Sequence, residues 1–142
     1  MKKILIGLFI LSSTTLFAQD HRNNNVPTNV QHSFQKDYPN AQKTQWKTSN
    51  GQWHGTYKDK NNRNVETHYK ADGQRIDTHI SYNQNELPSS VRDKASKKYN
   101  TNYSSSRIER PNSQPLYQIR SEKGSTTYMD ENGHKRKYKD SH

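Results

Sequence analysis

Three histidines and two carboxylates recur at alternate positions in neighbouring stretches of the chain: QWHGTYK (52–58), NVETHYK (64–70) and RIDTHI (75–80). Alternate side chains of an extended strand share one face. His54, Thr56 and Lys58, then Glu66, His68 and Lys70, then Arg75, Asp77 and His79, therefore form three parallel rows if these stretches are adjacent strands. Imidazoles and carboxylates at that density can hold a divalent metal such as zinc or copper, pair as opposite charges, or meet a partner. His54, His68, Asp77 and His79 are the metal candidates; the plainer reading, a solvated face with charges paired across strands, is preferred. Hydrolysis lacks its usual marks. The chain has no cysteine, no Gly-x-Ser-x-Gly elbow, no phosphate-cradling glycine loop and no HExxH. No catalytic residue, resident metal or cofactor is expected, and the protein is read as not an enzyme.

The turns between the stretches set which residues face each other. Asn50-Gly51 is a two-residue hairpin signal that pairs Thr48 with Trp53 and Trp46 with Gly55, where the missing side chain leaves room for the indole. A three-residue loop, Lys60 to Asn62, pairs Tyr57 with Val65 and Trp53 with Tyr69. Asp72-Gly73, read as another two-residue turn, pairs Tyr69 with Ile76, Thr67 with Thr78 and Val65 with Ile80. In this register Trp46, Trp53, Tyr57, Val65, Tyr69, Ile76 and Ile80 share one face. A slip of one residue would scatter them. The opposite face then carries the candidate partner-binding set: His54, Thr56, Lys58, Glu66, His68, Asp77 and His79. His54 stands opposite His68, His68 opposite Asp77, and Glu66 opposite His79.

Something must cover the aromatic face, and VPTNVQHSFQKDY (26–38) supplies it. Val26, Val30, Phe34 and Tyr38 recur every four residues behind Pro27, one stripe of an amphipathic helix. Proline in the first turn costs no hydrogen bond. Each buried apolar side chain contributes about 1.5–3 kcal/mol. The pattern returns 61 positions later in LPSSVRDKASKKY (87–99), with Ala95 where Phe34 stands. Strands are expected at 107–110, 116–121, 125–129 and 134–138, with turns at 111–115, Lys123-Gly124 and Asn132-Gly133. That register pairs Ile119 with Tyr128 and assigns Met129 and Tyr138 to no face. The fold class expected is α+β: a tandem repeat of a helix plus a four-stranded antiparallel meander, at 26–83 and 84–138, with the helices on one face of a shared curved sheet.

The flanking segments read differently. MKKILIGLFILSSTTLFA (1–18) has two lysines, an apolar run and small residues before Ala18, the layout of a secretory signal peptide. Its apolar stretch is too short for a bilayer core of about 30 Å, so no transmembrane segment is expected. Cleavage near Ala18 gives a secreted or periplasmic chain, with a flexible segment at 19–25 and a frayed basic tail at 139–142. Without Lys2 and Lys3 the formal charge falls from +10 to +8. Only eleven Val, Ile, Leu and Phe residues follow position 18, a balance typical of disorder. Two Trp and nine Tyr at periodic positions oppose it, since each can bury roughly 150–250 Å².

The stripes, the Trp/Tyr strands and the closing segments HYKADGQRI (68–76) and TYMDENGHK (127–135) resemble the PepSY-like secreted proteins of the Bacteroidetes, related to β-lactamase-inhibitor proteins (BLIP-like). The resemblance covers residues 26 to 138. It implies a tandem helix-plus-sheet fold, no enzymatic activity, and inhibitor-like binding of a protein or peptide through the exposed sheet. Lysines at 36, 43, 47, 58, 60, 94, 97 and 98 and the cluster from Lys135 to Lys139 make an acidic partner the expectation. The same charge gives the alternative, anionic envelope surfaces such as lipid headgroups or polyanionic glycans, alongside divalent metal. Nucleic acid is not expected: the aromatics face the helices and cannot stack on bases.

Overall fold

The computed structural model describes residues 25–138. The signal peptide expected at 1–18, nearly all of the segment at 19–25 and the tail at 139–142 lie outside the described residues. Helix α1 (Thr28–Asp37) is followed by β1 (Gln45–Ser49), β2 (Gln52–Lys58), β3 (Asn64–Lys70) and β4 (Arg75–Tyr82). A 3-10 turn at Gln84–Glu86 leads into α2 (Ser89–Tyr99), then β5 (Tyr103–Glu109), β6 (Leu116–Ser121), β7 (Thr126–Met129) and β8 (Lys135–Arg136). The fold class is α+β: two helices and one open, antiparallel, eight-stranded sheet in the order β1 to β8. No helix among the described residues is long and apolar enough to cross a membrane.

Both helices lie against the same face of the sheet, each over its own core. Val30 and Phe34 of α1 are buried with Tyr69, and Trp46, Trp53, Tyr57 and Tyr38 pack around them. Phe34 meets the Trp46 ring edge-on at 5.1 Å and Tyr57 at 5.7 Å. Under α2, Val91 and Ala95 are buried with Leu87, Tyr103, Tyr117, Ile119 and Met129. Ala95 stands where Phe34 stands in the first helix and is fully buried. The two cores share one sheet because β4 pairs with β5, from Thr78↔Glu109 to Tyr82↔Ser105.

The expected pairings hold through β1, β2 and β3: Trp46↔Gly55, Thr48↔Trp53, Trp53↔Tyr69 and Tyr57↔Val65. A Cβ on Gly55 would sit 2.9 Å from the Trp46 ring. After Tyr69 the structure corrects the reading. Gly73 has φ +90° and closes a three-residue loop in which the Lys70 amide bonds the Gln74 carbonyl and Gly73 the Lys70 carbonyl. This is the type I turn with a left-handed third residue, not a two-residue turn. Tyr69 therefore pairs with Arg75 rather than Ile76, and a bulge restores the expected register at His68↔Asp77, Thr67↔Thr78 and Val65↔Ile80. Arg75 moves to the helix side, where its guanidinium donates to the Tyr38 hydroxyl at 2.7 Å. Ile76 leaves the aromatic core and lines a shallow recess with Lys70 and Arg110.

Lys123-Gly124 repeats the correction: Ser121 and Ser125 bracket a three-residue loop, so Ile119 pairs with Thr127 and Gln118 with Tyr128. Strand β5 also starts earlier than expected, at Tyr103. Its Ser104, Ser105 and Ser106 carry no strand signal of their own. Ser105 and Ser106 pair with both β4 and β6, and Ser104 with β6; the Ser105 hydroxyl donates to the Tyr82 carbonyl at 2.8 Å. Strand β8 is only two residues long.

Candidate functional site

The side of the sheet without helices carries the histidine row. In β2, β3 and β4 the cross-strand neighbours are His54↔His68, Thr56↔Glu66, His68↔Asp77 and Glu66↔His79. The imidazoles run side by side, with ring centres 4.2 Å apart for His54 and His68 and 5.2 Å for His68 and His79. Carboxylates alternate with them. Glu66 Oε1 lies 3.1 Å from His54 Nδ1, 3.4 Å from His68 Nε2 and 3.1 Å from Lys47 Nζ. Asp77 Oδ1 lies 2.6 Å from His68 Nδ1 and 3.4 Å from His79 Nε2.

This face is less open than alternation alone implies. The Asp77 residue is only 1% exposed. Tyr138 caps it: its hydroxyl donates to Asp77 Oδ2, its ring meets His79 edge-on at 6.2 Å, and it stacks on Tyr128 at 5.0 Å. Arg110 lies over the Tyr138 ring, 5.9 Å from its centre. Ile108 and Leu116 are also buried on this side, in register with His79 and with each other. His54, His68 and His79 keep 16%, 15% and 23% of their side chains exposed. Lys58 is exposed and Thr56 half-buried.

Burial and charge oppose each other here. Burial pulls His68 down, but the Asp77 and Glu66 carboxylates outweigh it and raise the imidazole to about 9. Burial likewise pushes Asp77 up, and His68, His79 and the Tyr138 hydroxyl overcome it, holding the carboxyl well below its usual range. His68 does the same for Glu66 against the effect of burial, with help from His54 and Lys47. His54 is lowered, by burial first, with Glu66 opposing. The row can thus hold a positive centre between two carboxylates. Two triads have donor atoms close enough to hold a cation: His54, Glu66 and His68, and His68, Asp77 and His79.

The sequence reading missed Tyr138, Tyr128 and Lys47 as members of this group. Lys47 shares a face with His54 through the Asn50-Gly51 hairpin and was legible by the same arithmetic. Tyr128 faces Arg136, so Tyr138, two residues on, falls on the same side once Asn132-Gly133 is taken as a three-residue loop.

No protein-family model matches the chain, and no curated protein matches it. Solved structures share its architecture. A DUF2874 family protein from Bacteroides ovatus aligns at 20% identity and TM-score 0.68, over 78% of this chain and 84% of that one. A BLIP-like protein from Bacteroides fragilis aligns at 23% identity and TM-score 0.67, over 81% and 86%. A candidate periplasmic protein from Bacteroides eggerthii aligns at 16% identity and TM-score 0.68, over 79% and 86%. At these identities the likeness establishes the fold, a BLIP-like helix-and-open-sheet architecture found in Bacteroides proteins.

Proposed function

We infer that the chain is an exported, non-enzymatic binding module, secreted or periplasmic after removal of residues 1–18, that engages an acidic protein or peptide through the helix-free side of its sheet. One observation carries this reading. The two helices bury one face of the sheet over two apolar cores, while the other face presents a histidine and carboxylate row with exposed Lys47, Lys58, Arg120 and Arg136 around it. His54, Thr56, Lys58, Glu66, His68 and His79 would meet the partner, and Asp77 would support them from beneath. The basic side chains would steer an acidic surface toward them, an effect screened beyond about 8 Å at physiological salt.

The fold shared with a BLIP-like protein and a candidate periplasmic protein supports the class and the compartment. Two PepSY-like copies, 26–83 and 84–138, are the organisation that fits best. Gly73 lies against the Asn29 carbonyl of α1, and Gly133 lies against the Ser90 carbonyl of α2 in the matching place. Affinity capture from envelope extracts, with chelator present, tests the reading. A partner held by wild type and lost with Lys47→Glu/Lys58→Glu supports it. Equal capture by both proteins counts against this face.

A further inference from the structure

We propose that His54, Glu66 and His68 form a three-ligand site for a divalent late first-row metal ion, with Asp77 as the carboxylate that orients His68. The proposal goes beyond partner binding, because the donors are complete within one chain. Zinc bonds to imidazole nitrogen at about 2.0–2.1 Å and to carboxylate oxygen at about 2.0–2.2 Å, so neighbouring ligands of a tetrahedral site stand about 3.3 Å apart. Glu66 Oε1 stands 3.1 Å from His54 Nδ1 and 3.4 Å from His68 Nε2, and all three donors lie within 4.8 Å of one another.

His68 Nε2 is buried and faces the Glu66 carboxylate at 3.4 Å. A divalent cation here would take the place of the His68 proton between this nitrogen and Glu66, releasing that proton on binding. The other nitrogen of His68 lies 2.6 Å from the buried Asp77, too close for both atoms to be tetrahedral ligands of one ion. That separation fits the carboxylate–histidine contact that fixes the ring of a metal ligand. His79 and Tyr138 hold Asp77 in turn. Lys47, the present cation on Glu66, has a side chain 63% exposed and can swing into solvent. Two imidazoles and a carboxylate form a donor set suited to zinc, and copper(II) binds such sites more tightly still. The fourth position is left to water or a partner group.

Calorimetric titration of the chelator-stripped mature chain, with zinc and separately with copper(II), tests the site. One ion per chain is expected. His54→Ala and Glu66→Gln should each weaken binding at least tenfold, and Asp77→Asn by about 10–100-fold with one ion still bound. His32→Ala/His134→Ala, at exposed positions, should leave affinity unchanged. Thermal melts verify that each variant is folded. Ring-nitrogen NMR should show metal-dependent shifts at His54 Nδ1 and His68 Nε2. Uptake of neither ion, unchanged affinity in both His54→Ala and Glu66→Gln, loss of affinity in the His32/His134 variant, or a ring shift confined to His79 would overturn the assignment. None of these readouts involves a partner, so failure here is distinct from failure of the partner-binding reading.

Discussion

Asp77 touches two histidines and a tyrosine while almost wholly buried, which makes it the side chain whose removal should disturb the helix-free face most. Deleting one partner of a buried ion pair leaves an uncompensated charge and costs about 3–5 kcal/mol. Asp77→Ala should therefore lower stability by about that amount in urea denaturation, and His68→Ala by less, since the carboxylate would retain His79 and Tyr138. A loss under about 1 kcal/mol for Asp77→Ala, within reach of an ordinary surface change, would show that the row is not tied together as described. The presence of His54, His68, Asp77 and His79 on one surface was legible in the sequence, because alternation and the loop at 60–62 fix it for β2 and β3, and the bulge after His68 leaves the expected β4 partners in place. Their enclosure was not, since Tyr138 reaches Asp77 from 61 residues away.

At the scale of elements, the loops decide how much of the register a sequence displays. Asn50 and Gly51 both have positive φ, the two-residue turn that their types announce. Gly73, Gly124 and Gly133 instead end three-residue loops, and Asp-Gly, Lys-Gly or Asn-Gly alone does not separate the two geometries. The Tyr69 and Ile119 pairings differ from the expectation for that reason, and β5 is longer than expected because its serines have neither apolar alternation nor strand propensity. The helix stripes and the aromatic face were plain, since proline and four-residue spacing mark them. Gly73 is also where a hairpin meets α1: an added Cβ would lie 2.6 Å from the Asn29 carbonyl oxygen. Gly51 has open space around it. Gly51→Ala should cost about 1–2 kcal/mol for left-handed backbone alone, and Gly73→Ala should exceed it by about 1–3 kcal/mol for the forced contact. Equal melting shifts in the two variants would contradict the packing of that turn on the helix.

At the scale of the molecule, a chain poor in aliphatic residues holds together by an aromatic core under α1, a mixed apolar core under α2 and charged pairs around the sheet. Asp59, Glu66 and Asp77 are all held below their usual range. For Asp59, burial is opposed by Arg63 and by the backbone amides of Arg63 and Asn61. Each binds its proton more weakly folded than unfolded, so its contribution is complete above about pH 5 and is lost as pH falls through the folded value. Urea midpoints should drop below pH 4, with a shallower drop in Asp59→Asn; parallel acid profiles for the two proteins would refute the role given to Asp59. The central claim, that the helix-free face meets the partner, is tested most directly by site-specific photo-crosslinking in envelope preparations. A photoreactive residue at Thr56 on that face should capture the partner and one at Gln31 on the outer side of α1 should not, whereas capture from Gln31 with none from Thr56 would contradict it.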